Sequence, residues 1–107
     1  MITEITDLNF DEFVKQNELV MIQLTAIWCG PCKVLSPIVE QLSLEFMNEN
    51  KLIKIGKMNV DETRDKAVEL GITSIPTILV YKDGELVNRH TGMIQKIKLR
   101  QMIENYL

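Results

Sequence analysis

The sequence is poor in the residues that build disulfide scaffolds and metal centres. Its 107 residues include two cysteines and one histidine, too few thiols for a disulfide-rich scaffold and too few soft ligands for a closed zinc site. With 12 basic and 15 acidic residues, it also lacks the positive charge of a nucleic-acid binder. We therefore expect one globular domain, residues 1–107, with no bound metal and no nucleic-acid partner.

Long hydrophobic runs are missing as well. The longest, Leu19–Trp28, is interrupted by Gln23 and Thr25 and is too short to span a membrane. The first residues show neither the basic nor the apolar region of a secretory signal. We therefore expect a cytoplasmic protein with no membrane attachment.

The first half of the chain predicts a strand, a long helix and a second strand. Residues Leu19–Thr25 are almost continuously apolar, which indicates a strand buried on both faces. An apolar stripe at helical spacing follows, with Pro37 inside it: Leu35, Ile38, Val39, Leu42 and Phe46. Residues 52–60 then alternate as a strand. The strand–helix–strand unit should be parallel and right-handed.

Shorter helices and a hairpin complete the pattern. Asn9 fits a capping box and Leu8 a hydrophobic staple at the start of a short helix. Asp61 is positioned to cap another short helix. The dipeptide Asp83-Gly84 predicts a tight turn between two antiparallel strands, before a last helix. These elements predict an α/β fold with helices on both faces of a sheet.

The two cysteines lie in the segment WCGPCK, residues 28–33, where the buried strand ends and the long helix begins. A helix amino terminus carries free N–H groups and partial positive charge, which stabilise a thiolate. We expect Cys29 at the exposed end and Cys32 within the first turn. Gly30 permits a tight turn, and Pro31 suits a position where its missing N–H is no loss. A thiolate placed there can attack a disulfide, and a thiol three residues on can resolve the product.

A cysteine pair at this spacing does not by itself require redox chemistry. The pair can be half of a zinc site, a chance pair or two buried free thiols. Half a zinc site needs two further ligands, and His90 is the only histidine. Glycine and proline between two cysteines are unusual in a buried core. The position between strand and helix therefore favours redox chemistry.

Several segments resemble the thioredoxin family in order and spacing, over essentially the whole chain. They are WCGPCK, Pro37, Lys57-x-Asn59-x-Asp61, Gly71-Ile72-x-x-Ile75-Pro76-Thr77, Gly84 and Gly92. The resemblance implies the thioredoxin fold, a central mixed sheet of about five strands flanked by about four helices. It also implies a thiol–disulfide oxidoreductase that reduces disulfides in client proteins.

The resemblance assigns the two cysteines different roles. Cys29 would attack a client disulfide as a thiolate, and Cys32 would resolve the mixed disulfide. The reversible Cys29–Cys32 disulfide would be the redox group, with no bound cofactor. A thioredoxin reductase using NADPH would return the electrons to a monomeric protein. Two alternatives stay open: an oxidoreductase dedicated to one client, and a binding subunit in which the redox pair is incidental.

The resemblance further implies a docking surface for the client. Pro76 would be a cis-proline facing the cysteines, and Ile75 would present its backbone groups to an extended client segment. The other expected members of a flat apolar surface are Trp28, Gly30, Pro31, Gly92 and Met93.

The sequence departs from the family pattern at two positions. Gln23 replaces a buried aspartate that serves as a general base, and a glutamine cannot take that proton. We expect its amide to bind Lys57 or a buried water, and the proton of Cys32 to leave through water. Lys57 would lack its usual carboxylate, so that its ammonium would lose its charge or reach solvent. Thr25 replaces a tryptophan beside the cysteines, which we expect to affect partner choice more than chemistry.

Overall fold

Strands and helices alternate in the computed structural model, which describes residues 2–107. The elements are β1 (Ile2–Ile5), α1 (Phe10–Gln16), β2 (Leu19–Thr25), α2 (Gly30–Asn48), β3 (Lys54–Asn59), α3 (Arg64–Glu69), β4 (Thr77–Lys82), β5 (Glu85–Thr91) and α4 (Lys96–Glu104). The described strands form one sheet in the order β1-β3-β2-β4-β5. β1 and β2 run parallel to β3, whereas β4 runs antiparallel to β2 and β5. The predicted mixed sheet is confirmed.

Helices cover both faces of this sheet, and β2 lies at its centre. Every residue of β2 is buried, as its apolar run predicts. Leu19 and Met21 enter the core beneath α2 and α4, whereas Val20, Ile22 and Leu24 enter the core beneath α1 and α3. Because successive side chains of a strand point to opposite faces, one strand supplies both cores.

The predicted capping signals were wrong at both short helices. Asn9 precedes α1 without capping it, because its Oδ1 accepts from the Thr6 N–H at 2.7 Å and its Nδ2 donates to the Glu4 carbonyl at 3.0 Å. Leu8 is 96% exposed and forms no hydrophobic staple. Asp61 does not cap α3, which begins two residues after Glu62. The preceding loop thus uses the side chain of Asn9, and the indole of Trp28 uses that of Asp61.

Two local predictions are confirmed. Pro37 lies inside α2, which is 19 residues long. Asp83 and Gly84 have φ values of 51° and 84°, the positive pair that a tight hairpin turn requires. β1 was not predicted, because an edge strand of four residues is too short to show a periodic pattern.

Candidate active site

The two cysteines form a disulfide at the amino end of α2. Cys29 is the residue before the helix, and the Cα atoms of Cys29 and Cys32 are 5.3 Å apart. The Cys29 Sγ accepts a hydrogen bond from the Cys32 N–H at 3.2 Å. Pro31 lies in the first turn, where a missing N–H leaves no helical bond unmade. The positive end of α2 therefore points at the Cys29 sulfur, which favours a thiolate there after reduction.

Both cysteines are buried in this oxidised state. Cys29 is 4% exposed and Cys32 is 1% exposed. They form a small apolar cluster with Ala26, against which Val60 and Ile75 pack. The prediction that Cys29 lies at an exposed end is therefore wrong here, because these neighbours cover it. The other four residues of the motif, Trp28, Gly30, Pro31 and Lys33, are exposed.

The loop before β4 lies against the cysteine cluster. The Ile75–Pro76 peptide bond is cis, and Ile75 is half-buried against the cysteines. The Pro76 carbonyl accepts from the Gly92 N–H at 2.8 Å. Gly92 has a φ of 97°, in the region that favours glycine. The start of α2, the cis-proline loop and the end of β5 therefore meet at one edge of the sheet.

Met93 lies beside this edge without joining the cysteine cluster. Its side chain is exposed, and its carbonyl accepts a hydrogen bond from the His90 Nε2 at 3.1 Å. The lone histidine thus holds the turn after β5.

Trp28 forms a hydrogen bond with Asp61, which the sequence pattern predicted to be a helix cap. Its indole is 67% exposed, and Nε1 donates to the Asp61 Oδ2 at 2.7 Å. Trp28 and Ile75 line the same groove. Sequence spacing could not reveal the Trp28–Asp61 bond, since the two residues lie on separate loops that only the sheet brings together.

Gln23 finds a partner other than the one expected. It is 1% exposed, and its Nε2 donates to the Ser36 Oγ at 3.0 Å. Lys57, the expected partner, lies opposite Gln23 in the sheet register. The prediction of Lys57 was wrong because α2 brings a serine hydroxyl within reach of the amide first. The Gln23 Oε1 has no hydrogen-bond donor among residues 2–107.

Lys57 lines a groove beside the redox pair. It is half-buried and shares the groove with Thr25, Cys32 and Ser36. Within residues 2–107 its ammonium forms no ion pair. The expectation that its ammonium loses its charge or reaches solvent stays a prediction. Thr25 itself is buried, and its carbonyl accepts from the Val60 N–H at 2.9 Å.

Two other kinds of site are absent from the described chain. Among residues 2–107, no group of three or more histidine, cysteine, aspartate or glutamate side chains lies close enough to hold a metal ion. Across the same residues, no helix is long and apolar enough to cross a membrane.

Comparisons with known proteins agree with this site. The family model described as thioredoxin matches residues 1–105. A thioredoxin of Rickettsia prowazekii is 40% identical over 104 residues, covering 96% of each chain. A thioredoxin of Synechocystis is 37% identical over 105 residues, covering 97% of this chain and 95% of the relative.

Solved structures show the same likeness in three dimensions. Mitochondrial thioredoxin 3 of Saccharomyces cerevisiae, in its oxidised form, superposes with a TM-score of 0.86 at 33% identity, covering 97% of this chain and 94% of the other. A mutant thioredoxin of Halobacterium salinarum superposes with a TM-score of 0.87 at 30% identity, covering 98% and 89%. Family model, relatives and redox geometry agree: the chain belongs to the thioredoxin family and is a thiol–disulfide oxidoreductase whose reversible redox group is the Cys29–Cys32 pair.

Proposed function

We propose that the protein reduces disulfides in client proteins, with Cys29 as nucleophile and Cys32 as resolving thiol. The Cys29 thiolate attacks one client sulfur, which breaks the client disulfide and forms a mixed disulfide. The Cys32 thiolate then attacks the Cys29 Sγ, which forms the Cys29–Cys32 disulfide and releases the client as a dithiol. The observation that carries this proposal is the position of Cys29 before the first turn of α2, with Cys32 bonded to it.

A client segment would lie along the edge where α2 and the cis-proline loop meet. The proposed contacts are the exposed surfaces of Trp28, Gly30, Pro31, Gly92 and Met93, with Ile75 between them. The backbone N–H and C=O of Ile75 have no partner among residues 2–107. Free backbone groups beside an apolar surface suit an extended peptide, which supplies the complementary N–H and C=O.

The reduced protein would be regenerated by an NADPH-dependent thioredoxin reductase. This partner is proposed from family membership, since the Cys29–Cys32 disulfide must accept two electrons before the next client is reduced. We further propose a cytoplasmic monomer with a single domain over residues 1–107. Its net charge of −3 offers no attraction to nucleic acid or to an anionic membrane.

The direct test is turnover with a thioredoxin reductase, NADPH and insulin as a model client. We expect NADPH consumption that depends on the protein and is lost in Cys29→Ser. No turnover with any such reductase would contradict the general reductant. The reduction potential against glutathione then separates the alternatives. A strongly reducing value supports the reductant, and an oxidising value supports an enzyme dedicated to one client.

A further inference from the structure

A neutral pair of side chains lies behind the resolving cysteine. Gln23 is buried in β2 and donates to the Ser36 Oγ on α2. Ser36 stands four residues after Cys32, so both side chains fall on the same face of the helix. Both also line the groove that contains Lys57. Ser36 therefore connects the buried amide to the groove beside Cys32.

The hydroxyl hydrogen of Ser36 is uncommitted. A serine hydroxyl has one donor and two acceptor positions, and Gln23 occupies one acceptor position. A serine inside a helix often donates to the carbonyl four residues earlier, which here belongs to Cys32. No such bond forms, and Ser36 donates to no other group among residues 2–107. Its hydrogen is thus available to a molecule in the groove.

We propose that Ser36 is a positioning residue for the resolving step: it holds the groove water that takes the proton from Cys32. This inference rests on the proposed function, in which Cys32 must become a thiolate to release the client. The proton passes from the Cys32 Sγ to that water and on to bulk solvent. The thiolate then forms the bond to the Cys29 Sγ, and the client sulfur leaves with the electron pair and takes a proton from solvent. The proton leaves without a carboxylate at position 23.

The charges around the groove do not replace this role. Glu4 of β1, Lys33 and Glu40 of α2 and Lys57 of β3 face it. The apolar residues packed on the cysteines are Ala26, Val60 and Ile75. Lys57 favours a nearby thiolate by its charge, but an ammonium cannot accept the proton. Glu4 and Glu40 oppose a thiolate electrostatically.

The test compares Ser36→Ala with Ser36→Thr, which keeps the hydroxyl. In a Cys29→Ser background, only Cys32 titrates as a thiol, and its ionisation is followed by ultraviolet absorbance. We expect Ser36→Ala to raise its titration midpoint by roughly one pH unit, because a hydrogen-bonded water stabilises the charged form. Ser36→Thr should restore the original midpoint.

The kinetic arm uses both cysteines and an aromatic disulfide that releases a coloured thiol at each step. The second release reports resolution by Cys32. Ser36→Ala should slow it about tenfold at neutral pH, since tenfold less thiolate is present, and leave the first release unchanged. Ser36→Thr should match the unsubstituted protein.

The opposing result is equally clear. If Ser36→Ala lowers the melting temperature but leaves the Cys32 titration and the second release unchanged, Ser36 serves only to hold Gln23, and the proposal is overturned. Neither readout uses a reductase or a client protein. Failure of the proposed function would therefore appear in the insulin assay and leave these two measurements interpretable.

Discussion

The two faces of the sheet carry unequal helices. α2 and α4 have 19 and 9 residues, whereas α1 and α3 have 7 and 6. The first face carries the cysteines at the start of α2. The second carries the loop to the cis-proline, which follows α3. The cysteines therefore lie at the start of a long helix, whereas the proposed docking loop follows a short one.

On each face of the sheet, a cationic side chain lies over a phenylalanine ring. Arg100 lies 4.9 Å from the centroid of Phe46 on the α2–α4 face, and Lys66 lies 5.0 Å from that of Phe10 on the other. Arg100 binds three carboxylates of the two helices: Glu45, Glu49 and Glu104. Lys66 binds Asp11 of α1 and Glu69 of α3. The hydrogen bond from Lys66 holds the pKa of Asp11 below its ordinary value.

The difference lies in what each core must hold. The α2–α4 core cluster consists of aliphatic side chains and Phe46, with Tyr106 packed against it, and it supports a helix that must keep two sulfurs in fixed register. The other core includes Tyr81. The loop that follows α3 is held by Arg89 of β5, whose guanidinium donates to the carbonyls of Leu70 and Gly71 at 2.9 and 3.1 Å. Polar contacts at a surface open more readily than a packed core. We therefore expect the loop before the cis-proline to open more readily than the start of α2.

The largest effect should come from the cysteines, which belong to one face only. Cys29→Ser and Cys32→Ser should each lower turnover by more than about a thousandfold, because each removes an obligatory sulfur. Only Cys32→Ser should accumulate a stable mixed disulfide with insulin, detected by mass spectrometry. Trapping by Cys29→Ser instead would reverse the assigned roles.

The two cores should differ next in stability. Leu42→Ala on α2 should lower the free energy of unfolding by about 2–5 kcal/mol, since Leu42 is fully buried. Val14→Ala on α1 removes one carbon atom fewer and should cost about 1–3 kcal/mol. Urea unfolding measures both. A larger loss from Val14→Ala, despite its smaller deletion, would show that the α1–α3 core tolerates a cavity less well than the α2–α4 core.

Restoring a carboxylate tests the departure at position 23. Gln23→Asp should speed the second release of coloured thiol severalfold at neutral pH, because a general base can then take the proton of Cys32. Gln23→Asn, which stays neutral, is the matched control. An unchanged insulin reduction rate together with an unchanged pH profile would show that the glutamine does not slow resolution.

The loop contacts can be broken on one face and compared with the other. Arg89→Met should raise the KM for insulin about fivefold, because the free loop must be ordered on binding. It should leave the reduction of a small disulfide unchanged. Arg100→Met, which cuts contacts between α2 and α4, should lower the melting temperature without raising that KM. If only Arg100→Met raised the KM, client binding would depend on the α2–α4 face and not on the loop that Arg89 holds.

The smallest effect concerns pH. Burial raises the pKa of Tyr81 above its ordinary value of 10.0, so the folded state favours the neutral phenol. Its stabilising contribution is fully present below about pH 10 and is lost as the pH rises above that value. Tyr81→Phe should reduce the loss of unfolding free energy at alkaline pH. At pH 7 it should change the free energy of unfolding little. An identical alkaline profile would assign that loss to other groups.

Prediction succeeded where the signal was local. The apolar run of β2, the helical stripe of α2 and the Asp83-Gly84 turn each reflect contacts or dihedral angles within a few residues. Prediction failed at Asn9 and Asp61. Each has the side chain of a cap, but a loop or a distant indole competes for it, and the sequence does not show that competition.

The sequence by itself determined the chemistry of this protein, because its two cysteines enclose Gly30 and Pro31 at the junction of a buried strand and a long helix, a context that favours redox chemistry. The tertiary structure decided what surrounds them. Packing of α2 on β2 paired Gln23 with Ser36, and the meeting of loops bound Trp28 to Asp61 and buried Cys29 under Ile75. These contacts join residues far apart in the chain, so their distances depend on how the elements pack and not on spacing along the sequence.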